Sequence, residues 1–119
     1  MMEKVLFGDF EERYTDYGTA EIAILPVPYD GTSTWIKGAD KGPWALLEAS
    51  FNMEFYDLET GTEVFRRGIA TLDAVTENAS PEAMTDEVER RMDAILADGK
   101  FPVVLGGEHS VSVGAFRAM

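Results

Sequence analysis

The sequence predicts an α/β fold in which helices cover a parallel sheet. Three short apolar segments rich in Ile and Val alternate with segments of helical periodicity along the 119 residues. This alternation is typical of parallel sheets, because the chain must cross over between strands that run in the same direction. Hydrophobic residues make up 45% of the chain, which is enough to bury a core.

The first half of the chain is predicted to contain two strands and one helix. Residues 1–18 mix charged and aromatic side chains and are expected to form an N-terminal arm that covers part of the sheet. Residues 20–28, AEIAILPVP, are predicted as a strand because they are short, apolar and stopped by prolines. After a loop rich in glycine and hydroxyl residues, a helix is predicted over residues 43–55, PWALLEASFNMEF, and it starts at Pro43, where proline loses no hydrogen bond. Residues 68–75 are predicted as the second strand.

The clearest predicted helix follows Ser80, whose side chain is expected to cap it. Apolar side chains recur every three to four residues along one face of this helix: Met84, Val88, Met92, Ile95 and Leu96. Gly99 is expected to end the helix in a left-handed conformation. Residues 101–107 are predicted as a third strand, apolar along its length as in a sheet covered on both faces. A last helix is predicted after Ser110, its expected N-cap.

A sheet of three or four strands would leave an apolar edge without a partner. The last predicted helix also ends at residue 119 without a glycine, a proline or a polar tail. We therefore expect residues 1–119 to form a single partial domain without an internal boundary, whose sheet continues in a longer protein.

Charge and composition exclude several classes of function. The formal net charge of −12 argues against binding to nucleic acids and to anionic membranes, and it is compatible with a cationic ligand. The chain contains no cysteine, so disulfides and thiolate metal sites are excluded. Because no secretory pattern and no long apolar run is present, we expect a cytoplasmic location.

The only histidine, His109, follows two glycines at the end of the third predicted strand. Parallel sheets bind ligands outside the carboxyl ends of their strands. Gly106 and Gly107 would permit a sharp turn or a close backbone approach there, since they lack a Cβ atom. On these grounds a structural and a ligand-binding histidine are equally well supported. Ser110 is disfavoured as a nucleophile because the G-x-S-x-G pattern is absent.

Residues 105–118, LGGEHSVSVGAFRA, resemble the first signature of the ureohydrolase family, which includes arginases, agmatinases and formiminoglutamases. Residues 26–50 are similar to the first loop and helix of the same family, and their DGTSTW segment is closest to the agmatinase branch. The resemblance implies that the chain is the N-terminal part of a three-layer α/β/α sandwich, arginase-like, with an eight-stranded parallel sheet.

By the same resemblance, His109 is the first ligand of a site for two manganese ions. Gly106, Gly107 and Glu108 form the turn beside it, and two metal ions would activate water for attack on a guanidinium carbon. Many family members have aspartate in place of Glu108, so its supporting role is left open. The remaining metal ligands are expected beyond residue 119. No catalytic residue is therefore expected within this chain, which should be inactive alone.

The resemblance implies that the full-length protein is an agmatinase that hydrolyses agmatine to putrescine and urea. The expected partner is a small cationic guanidino substrate, and the family implies a homo-oligomer, either a trimer or a hexamer. Another ureohydrolase activity is an alternative, as is a non-catalytic α/β binding or assembly domain with a structural histidine. A nucleotide-binding domain is a weaker alternative because phosphate-binding glycine motifs are absent. Asp30 and Asp73 are not expected to replace the missing ligands.

Overall fold

The computed structural model of the chain describes residues 4–119 and contains a parallel sheet of three strands. Strand β1 comprises Ile22–Val27, β2 comprises Ile69–Thr71 and β3 comprises Phe101–Gly106. Strand β1 lies in the centre, with Ile22 opposite both Ile69 and Phe101. Since all three strands are parallel, their carboxyl ends lie at one edge of the sheet.

Four α-helices connect and cover the strands in the described part of the chain. They are α1 (Glu12–Thr15), α2 (Gly42–Ala49), α3 (Pro81–Ala97) and α4 (Ser112–Ala118), with short 3-10 turns between them. The predicted parallel α/β fold is therefore confirmed. Across residues 4–119, no helix combines the length and the apolar character needed to cross a membrane.

One face of the sheet packs against α3. Alternate side chains of β1 point to this face, and Leu25 and Val27 are fully buried there. The predicted apolar face of α3 meets them through Met84, Val88, Met92 and Ile95, which are all buried. Leu96, predicted for the same face, is 37% exposed and lies at its margin. The periodicity thus identified the core side of α3 but extended it by one residue.

The opposite face is covered by the N-terminal arm and α2. Thr71 lies opposite Ile24 in the register, so both side chains point away from α3. The backbone N–H of Phe7 donates to Thr71 Oγ1 at 2.9 Å, and that of Gly8 donates to Ser50 Oγ at 2.8 Å. The described residues of the arm therefore cover the sheet as predicted, while residues 1–3 lie outside the described part of the chain.

Both ends of α3 match their predictions. Ser80 Oγ accepts a hydrogen bond from the N–H of Ala83 at 3.0 Å, which caps the helix. Gly99 has a φ of +73°, so the chain leaves the helix through the left-handed conformation that glycine adopts without strain.

Other boundaries differ from the prediction. Helix α2 ends at Ala49 and passes into the 3-10 turn Ser50–Asn52, where the Ser50 hydroxyl donates to the carbonyl of Leu47. Such side-chain hydrogen bonds compete with helical ones, which explains why the helix stops early. Regular pairing in β2 stops at Thr71, although Val75 still donates its N–H to Pro26 O at 2.9 Å. In β3, Phe101 is 68% exposed because it lies on an edge strand of the described sheet.

Candidate functional site

The chain segments that leave β1 and β3 meet at the carboxyl edge of the sheet. The N–H of Gly107 donates to Val27 O at 3.1 Å, and that of Glu108 donates to Tyr29 O at 3.0 Å. These bonds extend the pairing of the two strands beyond their regular ends. The turn after β3 is thereby fixed against the start of the loop that follows β1.

Gly106 and Gly107 are needed because the packing around them is close. A Cβ atom on Gly107 would lie 2.1 Å from the carbonyl oxygen of Tyr29, and one on Gly106 would lie 2.5 Å from Val111 Cγ2. Neither glycine has a positive φ. Of the two reasons that the sequence suggested for glycine here, the close backbone approach applies, and the turn does not require a positive φ.

His109 follows this turn, in the 3-10 segment His109–Val111 between β3 and α4. Its side chain is exposed at the carboxyl edge of the sheet. This is the edge at which parallel α/β proteins bind ligands, and it is where the sequence placed His109.

The carboxylate of Glu108 joins the turn to the loop after β1. It accepts hydrogen bonds from the N–H of Thr32 at 2.9 Å and from the hydroxyls of Thr32 and Ser110. Although desolvation acts to raise the pKa of Glu108, these hydrogen bonds lower it overall. The prediction that Ser110 caps the last helix is wrong. The residue at the N-cap position of α4 is Val111, and the Ser110 hydroxyl is directed to Glu108 instead.

Asp30 and Asp73, the other two acidic residues considered from the sequence, make contacts that do not involve His109. The Asp30 carboxylate accepts hydrogen bonds from the N–H groups of Gly38 at 2.5 Å and Ala39 at 3.2 Å, so it closes the loop after β1. Asp73, after β2, has a side chain that is 87% exposed and pairs with Lys4 Nζ at 3.3 Å. The structure brings Glu108 and His109 together and leaves Asp73 outside this group.

An open cavity of about 630 Å³ lies beside His109. Its walls are the turn after β3, one side of α4 and the hydroxyl-rich part of the loop after β1. Three large apolar side chains line it with most of their surface exposed, at 91% for Trp35, 74% for Ile36 and 72% for Phe116. Sequence reasoning missed these residues. One feature of the sequence could have identified Trp35: a tryptophan within a loop rich in glycine and threonine, a composition that is typical of exposed loops.

A metal centre requires several ligand side chains that lie close to one another. Within residues 4–119, no three His, Cys, Asp or Glu side chains lie close enough to share a metal ion. The exposed imidazole of His109 is a suitable ligand for divalent manganese, but both oxygens of Glu108 already accept hydrogen bonds. This part of the chain therefore offers one ligand and does not form a metal centre by itself.

The chain is similar to known proteins over most of its length. The model of the arginase family matches residues 20–119. The N(1)-aminopropylagmatine ureohydrolase of Synechocystis sp. is 40% identical over 114 residues, which is 91% of this chain and 37% of that protein. The agmatinase of Pyrococcus horikoshii is 30% identical over 109 residues, which is 87% of this chain and 38% of that protein.

Solved structures of related enzymes also superpose on the chain. The agmatine ureohydrolase of Thermoplasma volcanium superposes with a TM-score of 0.86 and 31% identity, covering 100% of this chain and 40% of that one. A Trypanosoma cruzi formiminoglutamase with Mn²⁺ superposes with a TM-score of 0.72 and 27% identity, covering 87% of this chain and 37% of that one. The chain thus spans well under half the length of the proteins that it matches.

Proposed function

Because the chain belongs to the arginase family, we propose that the full-length protein is a ureohydrolase that converts agmatine to putrescine and urea. The observation that carries the proposal is the placement of His109, exposed beside an open cavity at the carboxyl edge of the sheet. The relatives named agmatinase and agmatine ureohydrolase support this choice of substrate. The net charge of −12 favours the approach of a cationic guanidino compound.

We also propose that His109 is one ligand of a site for two manganese ions. The other ligands would come from outside residues 4–119, so this chain alone would be inactive. When bound, manganese supplies Lewis-acid activation of water for attack on the guanidinium carbon. The trimer or hexamer and the cytoplasmic location expected from the sequence stay predictions.

The chain's own residues present His109 and build one wall around it. The bonds from Gly107 to Val27 and from Glu108 to Tyr29 fix the backbone just before the histidine. Glu108 also holds Thr32, and through it the loop after β1, at the same edge of the sheet. Because these contacts form within this chain, the backbone that carries His109 is set before a substrate arrives, which lowers the cost of binding.

A second candidate substrate is N(1)-aminopropylagmatine. Relatives from Synechocystis sp. and Thermus thermophilus that are named for this substrate are 40% and 39% identical to the chain. It carries the same guanidinium group as agmatine with a longer polyamine tail, and removal of urea would yield spermidine. The two candidates therefore differ only in the tail.

The proposal is tested by urea release from the full-length protein with manganese and with each substrate. Removal of a residue that hydrogen-bonds to a metal ligand typically lowers metal affinity or activity about 10- to 100-fold. Removal of the ligand itself by His109→Ala should therefore lower the rate of urea release by at least about 100-fold. It should also lower the manganese content measured by atomic absorption. Asp73→Asn is the matched control, because this carboxylate also follows a strand but lies outside the cavity.

Two outcomes would contradict the proposal in different ways. If the wild-type protein releases no urea from any guanidino compound, the assignment as a ureohydrolase fails and the non-catalytic binding or assembly domain is favoured. If His109→Ala keeps both full activity and full manganese content, the protein can be a ureohydrolase, but His109 is not a ligand.

A further inference from the structure

The cavity beside His109 has an apolar wall whose side chains are otherwise in contact with solvent. Trp35 and Ile36 project from the loop after β1, and Phe116 faces the cavity from α4. Trp35 is 91% exposed, so most of its indole surface is open to a ligand. Large exposed apolar side chains that cluster around a concave site are typical of a binding surface.

The loop that carries Trp35 is fastened on both sides of the tryptophan. On one side, Thr32 donates two hydrogen bonds to Glu108. On the other, the Lys37 ammonium donates to the carbonyl of Asp30 at 2.8 Å. Trp35 therefore stands between two anchored points of the loop, which hold its backbone at this wall of the cavity.

The charges in the described wall limit how it can bind a cation. Glu108 is the one carboxylate in this wall, and its two oxygens already accept hydrogen bonds from Thr32 and Ser110. The faces of the aromatic rings remain as partners for an ammonium group, since the negative face of a ring attracts a cation. The methylene groups of an aliphatic amine would at the same time cover apolar surface.

We propose that Trp35 is a specificity-determining residue that contacts the cationic, aliphatic tail of the substrate. This inference rests on the proposed function, in which the guanidinium group is bound near His109. In this arrangement the methylene and ammonium groups of the tail contact the indole, and a guanidino compound without a tail makes no such contact. A tail that ends in a carboxylate is disfavoured, because the face of the ring repels an anion. The substrate class is therefore a guanidino compound with an aliphatic tail that carries one or more amines.

The kinetic test compares Trp35→Ala and Trp35→Phe in the full-length protein. For agmatine and N(1)-aminopropylagmatine, Trp35→Ala should raise KM about tenfold and change kcat by less than about twofold, the pattern of a lost binding contact. Trp35→Phe should restore part of the affinity. The inhibition constant of methylguanidine, which has no tail, should stay unchanged. Leu58→Ala is the control, because Leu58 is 89% exposed outside the cavity.

A binding measurement separates this inference from the ureohydrolase assignment. Spermidine, a polyamine without a guanidinium group, should change the tryptophan fluorescence of the protein. Trp35→Phe should abolish the change, and Trp44→Phe should keep it, since Trp44 lies in α2 outside the cavity. A response that depends on Trp35 supports the contact with the tail even if urea release is absent and the assignment fails.

Two results would overturn the inference while leaving ureohydrolase activity in place. One is an unchanged KM for both substrates with a tail, together with a spermidine response that Trp35→Phe does not alter. The other is a melting temperature of Trp35→Ala several degrees below that of the wild type. That result would show that the indole packs against another part of the full-length protein and does not face a ligand.

Discussion

Gly107→Ala should be among the most damaging single-methyl additions in this structure. The new Cβ would lie 2.1 Å from Tyr29 O, 2.8 Å from Tyr29 N and 2.9 Å from Val27 O. Carbon atoms in contact are separated by about 3.5–4.0 Å, so the backbones at the ends of β1 and β3 would have to separate by roughly 1 Å or more. All three neighbours are backbone atoms, and no change of side-chain rotamer can relieve the overlap.

The expected cost follows from the contacts that this separation breaks. The hydrogen bonds from Gly107 N to Val27 O and from Glu108 N to Tyr29 O would be lost or weakened. Each contributes about 1 kcal/mol to the free energy of unfolding. Overpacking adds about 1–3 kcal/mol, so the total loss is about 3–5 kcal/mol. Because His109 follows the same turn, the substitution should also lower any activity that depends on the position of its imidazole.

Urea denaturation of the full-length protein, followed by far-ultraviolet circular dichroism, measures this loss. Gly18→Ala is the matched control, because a Cβ there would meet only the side chain of Asp16, at 3.5 Å. We expect the control to remain within about 0.5 kcal/mol of the wild type. A loss below about 1 kcal/mol for Gly107→Ala would refute the reasoning, since it would mean that the strand ends can separate at little cost.

Two further predictions concern single hydrogen bonds. Ser80→Ala removes the side-chain acceptor of the Ala83 N–H and should cost about 1 kcal/mol, measured as a lower midpoint of thermal unfolding. The hydrogen bond that Tyr17 donates to Asp98 raises the pKa of the phenol from 10.0 to about 12. The stability that this bond contributes is complete below pH 10 and is lost as the pH rises through about 12. In a titration followed by tyrosinate absorbance, Tyr17→Phe should remove the most alkaline step.

Residues close to the ends of α3 were enough to predict how this helix begins and ends. The capping by Ser80 and the left-handed Gly99 were both correct, because a helix end depends on side chains within a few residues of it. The early end of α2 was missed. It depends on Ser50, whose hydroxyl bonds to the carbonyl of Leu47 and accepts from Gly8 in the distant N-terminal arm.

The candidate site was predicted in part. The pattern around His109 placed the histidine at a strand end, and that placement is correct. The role of Ser110 was wrong, because its hydroxyl bonds to Glu108, which also holds Thr32 from a loop that lies 76 residues earlier in the chain. The preference of serine for helix N-caps depends only on the helix that follows it. It does not account for a competing acceptor such as Glu108, which a distant segment holds in place.

The sequence by itself determined the parallel α/β class, the family and the histidine at the carboxyl edge of the sheet. These features depend on the periodicity of apolar residues and on short motifs, which are read along the chain. The tertiary structure decided why Gly107 must be glycine, what Glu108 binds and that Trp35 faces the cavity beside His109. The physical reason is that each of these features joins β1 or its following loop to the turn after β3. Such contacts form only when parallel pairing brings the two strand ends together.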